Sequence, residues 1–267
     1  MPGVRLTAVS LLRQKMQLSL SIPNTFAMHQ PHFLPWLPYF SKIASAAHFV
    51  VLDNVQYRRY YYQARTRVRV SIRSEETRWL MLPVKSSTRL LISDIKLVEG
   101  EALKRLKKDL TNTYRRARYF EAAWPTIEKT LSVSYTHLLH LNIALIHAVF
   151  SILRISPPPF HLCSELTKSP DRELRIVESG KALRCNLLLV GWGGSTSVHD
   201  QDALQTQGIT MVHVRPSQML TGSTYNRNGL TILDTIFLRG AKQTASLVKK
   251  ASHHFQDAVA NIGDRFS

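Results

Sequence analysis

The chain has 267 residues, with 35 lysines and arginines against 18 aspartates and glutamates, so its formal net charge is +17. An apolar fraction of 44% belongs to a folded protein and excludes a wholly disordered chain. Two cysteines, Cys163 and Cys185, are too few for a disulfide scaffold, and no Cys/His spacing reads as a zinc site. At this length one large domain, or two intimately packed ones, can bury a substantial core. The longest apolar stretch, Leu138 to Ile155, is broken by His140, Asn142, His147 and Arg154. It therefore reads as a buried helix and not a membrane span. The basic balance points to anionic partners, either nucleic acid or phosphorylated small molecules.

Residues 1–20 carry Arg5, Arg13 and Lys15 among apolar residues, without the unbroken apolar run of a signal peptide. They read as an extension outside the domain, and the expected setting is cytoplasmic with reduced cysteines. Ile22–Met28 is a candidate strand, followed by a rigid turn set by Pro31, Pro35 and Pro38. Tyr39–Ala47 reads as a helix and His48–Leu52 as a strand covered on both faces. Thr66–Ile72 alternates Val68, Val70 and Ile72 with Arg67, Arg69 and Ser71, the period of a half-exposed strand. With Trp79–Val84 it predicts an antiparallel hairpin, and Leu90–Val98 a third strand. Helices follow over Glu101–Arg118, Glu121–Leu131 and Tyr135–Leu153, the last stopped by Pro157-Pro158-Pro159.

Beyond the prolines, strands at Phe160–Leu166, Asn186–Val190 and Ile209–Arg215 alternate with helices. One helix opens at Ser169-Pro170 and runs to Leu183, and the other spans Asp200–Gln207. Such alternation implies right-handed crossovers and a parallel sheet. The expected class is α/β: a Rossmann-like, mostly parallel sheet with helices on both faces, an antiparallel hairpin insertion and a helical segment. Residues 21–240 form the single domain of this reading, with the insertion at about 57–98, the helical part at about 101–155, and 241–267 as a helical tail.

Four stretches carry candidate chemistry. His29-Gln30-Pro31-His32 lies between a strand and a helix, where open parallel sheets bind ligands, and its imidazoles suit a phosphate or carboxylate. The bland alternative is a stiff turn with His32 on the surface. Asp53 and Gln56 follow a buried strand; an acid there serves a ribose hydroxyl, a magnesium ion or an amine, or merely closes a turn. The run from Arg58 to Arg78 is interleaved with Tyr57, Tyr60, Tyr61 and Tyr62; guanidinium forks hold phosphate and tyrosines stack on bases, unless the run is a solvated hairpin face. Gly191, Gly193 and Gly194 form a loop that lets backbone approach phosphate, without a nucleotide-binding fingerprint. His137, His140 and His147 read as structural, and no Ser-His-Asp context supports a hydrolase.

Taken in order, these stretches resemble the WbqC-like protein family. The resemblance rests on His29-Gln30-Pro31, Leu34-Pro35-Trp36 and Tyr39-Phe40, then Leu52-Asp53-Asn54-Val55-Gln56, Gln63-Ala64-Arg65, and Trp79 with Pro83-Val84. Tyr119-Phe120, Leu141-Asn142, Gly191 with Gly193-Gly194, and Leu230, Ile232 and Asp234 extend it to about residues 22–240. Departures stand at Pro38, Asn54, Ala64, Val190 and Trp192, where the family pattern has glycine, an acid, asparagine, serine and proline. The resemblance implies surface-polysaccharide (O-antigen) synthesis and transfer of an aminoacyl group such as glycine to an amino sugar. The strand–turn–helix order is also similar to the HIGH-type nucleotide-binding proteins, whose pantothenate-synthetase branch activates a carboxylate with ATP. On that comparison His29, Gln30 and Asp53 are the catalytic candidates. Tyr39, Gln56, Gln63, Arg65, Gly191, Gly193 and Gly194 are then substrate-binding. His29 contacts phosphates, Arg65 clamps pyrophosphate, and Asp53 orients an amine or a magnesium ion. ATP and magnesium are the implied cofactors; the residues themselves leave the cofactor open and specify no metal site.

The charge maps to two places, Arg58–Arg78 and Lys104–Arg118, whereas His29–Phe40 carries none. It therefore reads as a basic wall beside a site for a phosphorylated or nucleotide-linked substrate. The alternatives are a nucleic-acid-binding protein without catalysis and a degenerate, inactive family member.

Overall fold

The computed structural model describes residues 20–85, 89–98, 100–191, 199–214 and 229–263. The first unit is strand β1 (Ile22–His29), helix α1 (Leu37–Ser45) and strand β2 (Ala46–Val51). Pro38 sits in the first turn of α1, where a missing N–H costs nothing. A two-stranded hairpin follows, β3 (Arg65–Arg69) and β4 (Thr77–Met81), then the short pair β5 (Val84–Lys85) and β6 (Lys96–Leu97). Three helices, α2 (Ala102–Tyr114), α3 (Phe120–Leu131) and α4 (Leu138–Leu153), make the helical layer. The chain then gives β7 (Phe160–Leu162), α5 (Cys163–Leu166), α6 (Arg172–Leu183), β8 (Leu187–Gly191), α7 (Gln201–Thr206), β9 (Thr210–Val214), α8 (Ile232–Arg239) and α9 (Ala241–Gly263).

Five strands pair in the order β7-β2-β1-β8-β9, all parallel. Their side chains alternate between two cores, because successive Cβ atoms leave opposite faces of a strand. Ala27, Phe49, Val51, Leu189 and Val212 join the larger core, with α1, α4 and α9. Phe26, Val50, Leu188 and Val190 join the smaller one, with Ile176 and Val177 of α6 and Leu204 of α7. Both faces of the sheet are thus covered, as the continuous apolar strands require. The fold is α/β.

The order has a consequence for the site. From β1 the chain moves one way, to β2 and β7, then crosses back to β8 on the other side of β1. The strand order reverses between β1 and β8. In open parallel sheets that reversal opens a crevice beyond the carboxyl ends, here at His29 and Gly191.

Several elements differ from their expected bounds. The strand expected over Phe160–Leu166 stops at Leu162, because Ser164 turns back to bond Asp53 and the chain coils into α5. The helix expected from Ser169-Pro170 begins at Arg172; Asp171 caps it by accepting from Leu174 N at 2.8 Å. Leu90–Val98 is not one strand. A 3₁₀ turn at Ile92–Asp94 interrupts it, burying Ile92 and Ile95 at a spacing of three, and Lys96–Leu97 is the part that forms a strand, with Leu91 in an isolated bridge. β3 ends at Arg69, so Val70 is exposed instead of continuing the alternation.

Two contacts tie the layers together. α9 lies on α1, with Val248, Ala251 and Phe255 buried and Ser252 Oγ donating to Ser41 O at 3.3 Å. Gly240, just before it, has φ +85° and would bring a Cβ to 3.0 Å from the Tyr119 ring, so only glycine fits there. The second contact is a buried triad. Arg69 Nε donates to Asp234 Oδ1 at 2.9 Å and Oδ2 at 3.2 Å, and Tyr114 OH donates to Oδ1 at 3.1 Å. It joins hairpin, helical layer and α8 around a carboxylate with no exposure. Burial pushes the Asp234 carboxyl up, while Arg69 holds it down.

Arg69→Met leaves that carboxylate without its cation. It is expected to cost about 3–5 kcal/mol in denaturant unfolding, against about 1 kcal/mol for Tyr114→Phe. An Arg69→Met cost no greater than that of Tyr114→Phe contradicts the triad's role.

Candidate functional site

The proline-rich turn leaves β1 and is anchored on every side. Leu52 N donates to His29 O at 2.9 Å and Phe33 N to Tyr62 O at 2.9 Å. Thr66 Oγ1 donates to Leu34 O and Ile232 N to Pro35 O, each at 2.9 Å. The buried amide of Asn142, on α4, donates to Pro31 O at 2.9 Å and to Gln63 O at 2.8 Å. Gln63 Nε2 then donates to Gln30 Oε1 at 2.8 Å. Prolines at 31, 35 and 38 supply no donors, and the carbonyls of Pro31 and Pro35 are met from α4 and α8.

Within this frame lies a cluster of bases. The His29 ring stands edge-on to His32 (centroids 4.5 Å) and to Tyr39 (4.9 Å). His32 is stacked between Tyr39 (5.3 Å, 24°) and Tyr62 (5.3 Å, 26°). It is 5% exposed, so it is not the surface residue of the bland reading. Its Nε2 is buried without a partner. Lys42, one turn beyond Tyr39 on α1, is 8% exposed, and its Nζ donates to Met28 O at 3.5 Å. Tyr39 OH donates to Gln30 O at 2.9 Å, and the same carbonyl lies 3.0 Å from His29 Nδ1. A carbonyl only accepts, so Nδ1 carries the proton and Nε2 of His29 is the free base.

Among the described residues no carboxylate forms an ion pair with His29, His32 or Lys42. Burial is the first cause of every shift in the group. It lowers His32 to about 3, aided by the Lys42 charge. His29 falls well below the usual histidine value through burial, Lys42 and His32, opposed by its bond to Gln30. Burial alone takes Lys42 to about 7, and it raises Tyr39 far above its ordinary value. Near pH 7 the cluster holds two neutral imidazoles and an amine on the edge of protonation.

The expected site residues divide. His29, Gln30, Tyr39 and Gln63 come together here. Asp53 does not: its carboxylate turns toward α5, accepting from Ser164 N at 2.9 Å and Ser164 Oγ at 2.6 Å. Gln56 is exposed and bridges to Leu91. Arg65 lies 3.9 Å over the Trp79 ring, and its guanidinium donates to Tyr60 O. Gly191 ends β8, across the crevice from His29; Gly193 and Gly194 lie outside the described residues. Of the departures from the family pattern, Ala64 is buried, Asn54 is half-buried beside Asp53, and neither enters the cluster; Trp192 lies outside the described residues. Sequence reading missed Lys42 and the bridging role of Asn142. Lys42 had a signal, being the one charged residue of α1, all nine of whose residues are buried.

Two open cavities, of about 370 and 500 Å³, lie against α2 instead. The larger is lined by Lys85, Lys96, Lys104 and Lys107, so part of the basic excess sits away from the cluster. Among the described residues no three His, Cys, Asp or Glu side chains are grouped to hold a metal. No helix among them is long and apolar enough to cross a membrane.

The model of the WbqC-like protein family matches residues 30–246, a span that begins one residue after His29 and holds the proline-rich turn, His32, Lys42 and every strand of the sheet except β1. The chain belongs to that family. It is similar to the uncharacterized protein Rv1507c of Mycobacterium tuberculosis (strain ATCC 25618 / H37Rv), 29% identical over 133 residues. The match covers 49% of this chain and 56% of that relative, so it spans little more than half of the relative's length. No solved structure matches. In this WbqC-like protein the proline-rich turn lies at the sheet's switch point, near enough to the buried lysine of α1 for its charge to act on both imidazoles.

The cluster sets a pH dependence. Lys42 titrates near 7 folded and near 10.5 unfolded, so between those values the unfolded chain binds more protons. Stability therefore rises with pH across that window. His32, about 3 folded against 6.5 unfolded, makes stability fall as pH drops below 6.5. Urea unfolding of the wild type at pH 7 and 9.5 is expected to show a gain that Lys42→Met lacks. Equal gains in both proteins contradict the placement of Lys42.

Proposed function

We propose that the protein is a transferase of surface-polysaccharide synthesis that passes an acyl group, such as glycyl, to the amine of an amino sugar. The observation that carries this reading is the cluster of half-buried His29 with buried His32 and Lys42 at the switch point, three nitrogen bases that, among the described residues, pair with no carboxylate. Acyl transfer to an amine needs a base for the amine proton and a cation for the oxygen on which charge develops.

The residues divide these tasks. The acceptor nitrogen attacks the acyl carbon, forming the N–C bond. Its proton passes to Nε2 of His29, which is left free because Nδ1 donates to Gln30 O. The Lys42 ammonium faces the oxygen that becomes negative; an anion beside it raises its affinity for the proton, so substrate keeps it charged. The C–O bond to the leaving group breaks with its electron pair on the leaving oxygen. Tyr39 and Tyr62 fix the ring plane of His32 by stacking. His32 thus positions, with an unpartnered Nε2 open to a substrate hydroxyl or phosphate.

ATP, when bound, supplies an activated carboxylate. The residues fit its phosphates, which Lys42 and His32 would hold; Nε2 of His29 carries no proton to donate to them. Each oxygen of Asp53 accepts one hydrogen bond from Ser164, which turns the carboxylate toward α5, so this reading gives it no part in holding the phosphates.

The test uses the full chain with ATP, each of the common amino acids and an amino-sugar nucleotide, reading pyrophosphate release and amide product by mass. Pyrophosphate release with one amino acid, lowered about 100-fold or more in His29→Ala and in Lys42→Met, is expected. Release with none of them, or an undiminished rate in His29→Ala, contradicts the reading.

A further inference from the structure

The loop from Tyr57 to Arg65 holds four of the chain's nine tyrosines and three arginines. Two of those tyrosines face solvent, Tyr60 at 64% and Tyr61 at 39% exposure. Burial would have stabilised both rings, so folding alone does not account for their position. They belong to a continuous array. Tyr61 meets the buried His32 ring at 5.7 Å and Tyr62 at 5.6 Å. Tyr62 meets Trp79 at 5.5 Å, and the Arg65 guanidinium lies 3.9 Å over Trp79 and 5.8 Å from the Tyr60 ring. Arg59 lies 5.5 Å from the same Tyr60 ring. The array runs from the base cluster to the surface and ends in an open aromatic face flanked by cations. Arg58 and Arg59 are exposed, and among the described residues neither pairs with a carboxylate.

Flat rings beside guanidinium forks match a ligand that joins a flat ring to phosphates. We propose that Tyr60 and Tyr61, with Arg58 and Arg59, seat the nucleoside diphosphate that carries the amino-sugar acceptor. This rests on the acceptor named in the proposed function and adds how that acceptor is held. The base stacks on Tyr60, the diphosphate meets Arg58 and Arg59, and the sugar extends along Tyr61 toward His32 and His29. One largely exposed ring and one less exposed ring seat a single base, which favours a nucleotide over a nucleic-acid strand.

Calorimetric titration of the full chain with UDP, ADP and inorganic pyrophosphate tests the seat. At least one nucleoside diphosphate is expected to bind more tightly than pyrophosphate. Tyr60→Ala removes that advantage, about tenfold or more, and Tyr60→Phe retains it. Pyrophosphate affinity stays unchanged in Tyr60→Ala. Equal affinities for UDP, ADP and pyrophosphate in the wild type overturn the seat, as does an unaltered nucleoside-diphosphate affinity in Tyr60→Ala. A 12-nucleotide single-stranded RNA that binds more tightly than either nucleotide, with a steep salt dependence, also overturns it. The transferase reading fails separately: an undiminished rate in His29→Ala sinks it while leaving these affinities as they are.

Discussion

The side-chain amide of Asn142 is the point on which the site depends. One nitrogen of a fully buried residue donates to Pro31 O in the turn and to Gln63 O in the lead-in to the hairpin. It is one NH₂ group with two protons, and both are used. No apolar residue of that shape can serve two carbonyls at once, and an aspartate would set negative charge against both. Through Gln63 the bridge extends to Gln30, whose own carbonyl receives Tyr39 OH and fixes the His29 tautomer. The helical layer therefore holds the insertion and the turn in one arrangement, and the imidazoles inherit it.

That rigidity makes a charge deficit possible. A lysine buried without an acid is normally relieved by losing its proton or by meeting an anion. Lys42 has one carbonyl at 3.5 Å and two imidazoles for neighbours. The buried carboxylates of the described structure are committed elsewhere, Asp234 to Arg69 and Tyr114, Asp53 to Ser164. Each of these two acids has its own partners and, among the described residues, no carboxylate pairs with the basic cluster, which leaves room for negative charge brought by a ligand. The position of the cluster at the reversal of strand order, opposite Gly191, is where an open sheet can admit one.

Much of the fold was legible in the sequence. Continuous apolar runs such as His48–Leu52 and Asn186–Val190 announced strands covered on both faces, and their alternation with helices announced a parallel sheet. Boundaries set by single side-chain bonds were not legible. Ser164 ends β7 by turning to Asp53, and Asp171, not Ser169, caps α6; neither bond has a signature in the hydrophobic pattern. The site was half legible. The proline-rich motif marked His29, Gln30 and Tyr39. Asp53 stood equally well at a strand end, yet the direction of its carboxylate depends on a residue more than a hundred positions away. Lys42 fell outside the motif and was passed over. Its meaning comes from burial, and in the total of +17 it is one lysine among many.

The central claim is that the switch point holds neutral imidazoles and a lysine poised to take a proton when an anion arrives. NMR titration of ¹⁵N-labelled protein, following the Lys42 amine and the rings of His29 and His32 with and without inorganic pyrophosphate, tests it most directly. The account predicts imidazoles that stay neutral from pH 5 to 8, a lysine that loses its proton near 7, and an upward shift of that midpoint with pyrophosphate. Imidazoles titrating near 6.5 and a lysine near 10.5, unmoved by pyrophosphate, would contradict it.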